Sequence, residues 1–224
     1  MEINKLKLHT NKLFEMKNFY IDILGFNISN ETETSFKINV GSSVLEFNSE
    51  NSNDNPYYHF AFNIPSNQFI EAKLWTKDRV TLLLEDGEDE ADFSHLPAHS
   101  IYFYDPSGNI VELIARYGIN ENREEPFSSD SMLNICEIGL IVDDPISIGN
   151  KLSEIGLYER DNDPISATSL NFMGKRKKGI FVILAQPGRR WLFSEKKSEI
   201  YPLEIILDSD FKIIVNPEHK CSIE

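Results

Sequence analysis

Tyr102-Phe103-Tyr104-Asp105-Pro106-Ser107-Gly108-Asn109-Ile110-Val111-Glu112-Leu113 reads as strand, turn and strand. Asp105-Pro106-Ser107-Gly108 makes the turn on composition alone. After it the side chains alternate, so Glu112 shares a face with Ile110 and Ile114, opposite Val111 and Leu113. A carboxylate between apolar neighbours is costly unless a cation meets it, and a metal ion is one such cation.

Working back from this hairpin, residues 57–64 form an aromatic and branched strand, with His59, Ala61 and Asn63 on one face and Phe60, Phe62 and Ile64 on the other. Pro65-Ser66 opens a helix over 67–76, residues 79–84 make a further strand, and the acidic stretch 85–92 is a loop. The preceding segment repeats this order. Residues 6–9 begin a strand, apolar residues from Leu13 to Leu24 follow a helical period ended by Gly25, and strands follow at 26–29, 35–38 and 44–47. Two βαβββ modules in succession amount to an internal repeat, and neither can bury its sheet alone, so the two are expected to pair around a shared core.

Residues 117–131 are charged and polar and read as a linker or wrapping loop. The order then restarts in a degenerate form: a strand at 134–142, a helix at 145–155 stopped by Gly156, and short strands at 157–160, 169–173, 180–185, 190–193, 201–207 and 211–215. The expected organisation is therefore a domain at 1–116, a linker at 117–131 and a truncated second copy at 132–224. Lys175-Arg176-Lys177-Lys178 reads as a solvated hairpin turn, with an anion-binding role for it and for Arg189-Arg190 as the alternative.

The 224 residues are 41% hydrophobic, enough for one generous core or two small ones. With 22 Lys plus Arg against 36 Asp plus Glu, the formal charge of -14 repels a phosphate backbone and makes nucleic acid an unsuitable partner. No stretch approaches the roughly 18 uncharged apolar residues of a membrane span, and the N-terminus lacks a secretion-signal pattern. Cytoplasmic localisation is the expectation. Cys136 and Cys221 form no C-x-x-C pattern, so a thiolate zinc knuckle is not indicated.

His9 lies on the first strand of the first module, His59 on the first strand of the second, and Glu112 on the last strand of the second. If the modules pair about a pseudo-twofold axis, these side chains can converge and leave open positions on a divalent ion. Each also has a plainer role open to it: a histidine on a strand can be a satisfied polar residue, and Glu112 can pair with Arg116, Lys5 or Lys7.

The stretches 58–64 and 102–113, with the helix Phe19-Tyr20 to Leu24-Gly25-Phe26, resemble the vicinal oxygen chelate superfamily, which includes glyoxalase I, extradiol dioxygenases, fosfomycin resistance proteins and metal-free bleomycin-binding proteins. The resemblance covers about residues 3 to 116. It implies an α+β fold of paired βαβββ modules forming a cup-shaped mixed sheet. It also implies one divalent metal ion (Fe, Ni, Mn, Co or Zn) on His9, His59 and Glu112, with Glu46 near the place of a fourth ligand. The implied activity is metal-dependent chemistry on a small molecule that chelates the ion through vicinal oxygens, in a monomer or homodimer. His95, His99, Tyr102 and Tyr104 are the available acid or base groups. The alternative is a non-catalytic small-molecule binding protein, whose pocket would be lined by aromatics such as Phe60, Phe62, Trp75 or Tyr104.

Overall fold

In the computed structural model, which describes residues 1–50, 55–93, 96–208 and 211–224, the first module is β1 (Ile3–His9), α1 (Leu13–Asn18), β2 (Ile28–Glu31), β3 (Ser35–Val40) and β4 (Ser43–Asn48). The second is β5 (His59–Ile64), α2 (Phe69–Lys77), β6 (Ala91–Phe93), β7 (Ala98–Tyr104) and β8 (Ile110–Arg116). The C-terminal part holds β9 (Asn134–Ile141), α3 (Pro145–Glu154), β10 (Asn171–Lys175), β11 (Ile180–Ala185), β12 (Leu203–Leu207), β13 (Lys212–Val215) and β14 (Cys221–Ile223). The fold is α+β with duplicated βαβββ modules. Among the described residues no helix is long and apolar enough to cross a membrane.

Several local expectations are corrected. The helix expected over 13–24 ends as regular α-helix at Asn18 and continues as a wider π turn over Phe19–Ile23. Phe19 and Tyr20 are both buried there, and Tyr20 donates its hydroxyl proton to Asp105 Oδ2 at 3.0 Å, tying the helix to the turn before β8. Residues 79–84, 157–160 and 190–193 form no full strands and contribute only the single bridges Leu82 to Phe103, Glu159 to Met173 and Arg190 to Lys197. The last strand, β14, has too little apolar alternation to stand out in the sequence.

The strands are shared in a way that alternation does not specify. One seven-stranded sheet has the order β14-β13-β12-β1-β4-β3-β2, the other β10-β11-β9-β5-β8-β7-β6. At the centre of each, a first strand from the N-terminal half lies antiparallel to a strand from the C-terminal half: β1 against β12, and β5 against β9. Each sheet therefore draws on both 1–116 and 132–224. The connecting segment wraps rather than dangles, with Asn120 Nδ2 donating to the Ile64 carbonyl at 2.8 Å and Ser129 Oγ to that of Gly25 at 2.8 Å.

Between the sheets, Tyr20, Phe36, Phe47, Phe60, Phe62 and Phe103 are almost completely buried. The face of β5 that carries Phe60 and Phe62 thus packs inward, leaving His59 and Ala61 on the concave face. Where the β3–β4 turn meets the start of β9, Gly41 has φ +54°, and a Cβ there would fall 1.9 Å from the Leu133 carbonyl oxygen. Gly41→Ala is expected to destabilise the protein by about 2–4 kcal/mol, from the left-handed backbone and the backbone clash together. Thermal denaturation against wild type measures this.

Candidate metal centre

The second sheet gathers one imidazole and two carboxylates on its concave face. His59 comes from the start of β5, Glu112 from the middle of β8 and Glu137 from β9. One ligand atom from each lies within 4.8 Å of the others, and all three residues are buried. The strand register produces this, because Ala61 pairs with Glu112 on one side and with Glu137 on the other, so the two carboxylates flank β5 just beyond His59. His59 Nε2 is 3.5 Å from Glu112 and 4.0 Å from Glu137.

The donor set fits a divalent cation. His59 Nδ1 lies 3.1 Å from the Ile110 carbonyl, which holds the ring with its proton on Nδ1 and leaves Nε2 as a bare donor. Burial lowers the His59 pKa to about 4, so the imidazole is neutral near pH 7. Burial, together with the charge of Glu137, raises that of Glu112 to about 8. His59 and Glu112 are therefore not an ion pair at neutral pH, despite their proximity. Glu137 is also pushed up by burial, against the pull of Arg116, whose guanidinium hydrogen-bonds it. Arg116 compensates Glu137, whereas among the described residues Glu112 has only the neutral His59 imidazole within ion-pair distance, an environment a metal stabilises.

Because a divalent ion must displace the Glu112 proton, its affinity is expected to rise about tenfold per pH unit up to about pH 8 and then level off, as chelator competition would measure. The linkage in the metal-free protein has the opposite sign. A carboxyl whose pKa rises from 4.5 to about 8 on folding contributes stability that is complete below 4.5 and lost as pH climbs toward 8. For His59, lowered from 6.5 to about 4, stability is instead lost as pH falls through that window.

His9 is not part of this cluster. It stands on β1 in the other sheet, with Nδ1 3.3 Å from the Glu50 carbonyl. Lys5 pairs with Val44 and Lys7 with Glu46, as His59 pairs with Ile110 and Ala61 with Glu112. By register, then, Lys5 occupies the place of His59, Glu46 that of Glu112, and His9 that of Asn63. Lys7 also pairs with Glu204, as Ala61 does with Glu137. In this first sheet the Lys5 ammonium sits 2.6 Å from Glu46, with Lys37 at 3.5 Å. Burial would raise the Glu46 pKa, but the hydrogen bond and charge of Lys5, aided by Lys37, hold it below the usual value. Lysines thus supply there the positive charge that Glu112 lacks among the described residues, and Glu46 faces an ammonium and is no fourth ligand of the His59 cluster.

Glu137 was missed because its strand reads as a first strand without histidine. The available signal was the carboxylate in Cys136-Glu137-Ile138, at the place His59 holds in Tyr58-His59-Phe60. Of the acid or base groups, Tyr102 pairs across from Glu112. His99 packs on Phe69 at 5.2 Å, Tyr104 hydrogen-bonds Ser194, and His95 lies outside the described residues.

The cluster opens into a cavity of about 610 Å³, whose walls include Phe93, Tyr102, Phe172, Phe181 and Trp191, with Arg116, Arg160, Arg176, Arg189 and Arg190 among them. Trp191 lies 4.7 Å from the His59 ring, and Gly139 lets it approach, since a Cβ there would meet the indole at 2.9 Å. Phe60, Phe62, Trp75 and Tyr104 are not among the lining residues. The basic turn anticipated at 175–178 is a short 3₁₀ turn over Arg176–Lys178, and Arg176 reaches the cavity wall.

The family model for the Glyoxalase/Bleomycin resistance protein/Dioxygenase superfamily matches residues 2–113, and the chain belongs to that superfamily. A model for the toxoflavin-degrading enzyme matches residues 135–189. The metallothiol transferase FosB of Staphylococcus epidermidis is 32% identical over 116 residues, 50% of this chain and 81% of that protein. FosB of Staphylococcus haemolyticus matches to the same extent. A dioxygenase-like protein of Bacillus subtilis shares the fold over 82% of this chain and 63% of its own, with a TM-score of 0.54 and 15% identity. A buried imidazole and two carboxylates able to hold a divalent ion, in a chain of this superfamily, make a metal-dependent enzyme acting on a small molecule that chelates through vicinal oxygens.

Proposed function

We propose that His59, Glu112 and Glu137 hold a single divalent ion, and that the enzyme transforms a planar aromatic or heteroaromatic compound whose adjacent oxygens reach it in the aromatic-walled cavity. The observation that carries this reading is the convergence of three buried donors at the floor of that cavity. Two carboxylates and one imidazole are a mainly hard, oxygen-rich set that suits manganese or iron(II), with metal supply setting the occupant because later first-row ions bind such sites more tightly. A bound ion would act as a Lewis acid toward the chelating oxygens.

The protein's own groups do the rest. The Ile110 carbonyl orients the His59 ring, Arg116 fixes one oxygen of Glu137 and leaves the other toward the cluster, and Trp191 covers His59 from solvent. Tyr102 is held flat by a stacked Phe193, with centroids 4.7 Å apart, and its hydroxyl accepts from Ser100 Oγ at 3.0 Å, next to Glu112. The match of 135–189 to the toxoflavin-degrading enzyme supports a heteroaromatic substrate, since that segment supplies Glu137 together with Phe172 and Phe181. Both halves of one chain complete the site, so a monomer suffices.

The test is an aerobic assay of the manganese- or iron-loaded protein with toxoflavin and with catechols, followed by ultraviolet absorbance. Metal-dependent loss of the ring chromophore is the expected result. No change with either metal and either compound class would refute the proposed chemistry.

A further inference from the structure

Arg160 is a guanidinium on the cavity wall whose Nε no group among the described residues satisfies. Its head lies over the Phe172 ring, 4.0 Å from the centroid, and 5.8 Å from the Phe181 ring, which Arg116 approaches at the same distance of 5.8 Å. Asp161 is adjacent, with Oδ2 3.5 Å from Arg160 Nε, but both its oxygens accept hydrogen bonds from Arg176. Arg160 Nε is buried without a hydrogen-bond partner among the described residues. Glu159 is turned back toward the amides of Asp161 and Asp163. The other cavity arginines differ: Arg116 is engaged by Glu137, Arg176 by Asp161 and Arg190 by Glu85, while Arg189 is exposed.

A guanidinium stacked on an aromatic ring is pre-oriented, and partial burial strengthens what it binds. A carboxylate matches its planar fork with two parallel hydrogen bonds. In a chain of net charge -14, an arginine inside a cavity whose nearest carboxylate, Asp161, is already shared with Arg176 is selective for an acidic guest. We propose that Arg160 is a specificity-determining residue of the cavity, where it receives a carboxylate carried by the aromatic compound. This rests on the reading of the cavity as a metal-dependent active site.

Isothermal titration of the manganese-loaded protein with catechol and with 3,4-dihydroxybenzoate tests it. Wild type should bind the acid at least about tenfold more tightly. Arg160→Met should abolish that preference, bringing the affinities for the acid and for catechol together, and Arg160→Lys, which keeps the charge but not the fork, should reduce it part-way. Should the Met variant not fold, the Lys variant decides by itself, and an undiminished preference there overturns the proposal. Equal affinities in wild type, or a preference that survives in Arg160→Met, would overturn it too. So would acid binding that persists in metal-free protein, because Arg160 and Arg176 also border a second cavity of about 560 Å³. Metal content measured on the same samples separates the failures. Protein that takes up no metal refutes the metal-enzyme reading and this proposal with it, whereas metal uptake without the preference refutes the role of Arg160 alone.

Discussion

Glu137→Gln should weaken manganese binding by at least about a hundredfold, whereas His9→Ala should leave it unchanged. The amide is nearly isosteric and can still accept a hydrogen bond from Arg116, so the fold is preserved. What it removes is one of two anionic donors at the cluster. His9 occupies the register position of Asn63 in the opposite sheet, so its loss touches a surface contact with the Glu50 carbonyl and nothing at the cluster. Competition with a fluorescent chelator measures both variants. A large loss in His9→Ala with none in Glu137→Gln would assign the ion to the first sheet.

The largest stability effect is expected at Arg116, a buried guanidinium that binds Asn63 Oδ1, Glu137 and, at 3.3 Å, the Cys136 sulfur. Arg116→Met fills similar volume but leaves Glu137 and Asn63 without their partner beside Glu112. Breaking one side of such a buried pair costs about 3–5 kcal/mol, or on the order of 10 °C in Tm for a chain of this size. Adding Glu137→Gln to the Met variant should recover part of the loss, because the uncompensated charge is then gone. Calorimetry of the single and double variants distinguishes this from simple loss of packing, which the second substitution would not repair.

Much of the fold was legible because strand alternation, Gly25 and the Asp105-Pro106-Ser107-Gly108 turn are local signals. His59 and Glu112, which the structure brings together, carry a related signal: each is a chemistry-bearing residue on a strand whose other face is apolar. Strand partnership is not local. Nothing in the alternation of β1 or β5 states whether its antiparallel neighbour comes from the next module or from the C-terminal half. Once β5 pairs with β9 and β1 with β12, the side chain brought beside His59 and Glu112 is Glu137, and His9 is left in a sheet where Lys5 and Glu46 already balance each other. The same blindness to partnership hid the contribution of the C-terminal half, which supplies Glu137 and much of the cavity wall.

The most direct test of the central claim is a crystal of the protein grown with manganese, with anomalous scattering recorded to locate the ion. The account predicts one strong peak about 2.2 Å from His59 Nε2 and from a carboxylate oxygen of both Glu112 and Glu137. A peak on His9, or a fully ordered cluster with no peak at saturating manganese, would contradict it.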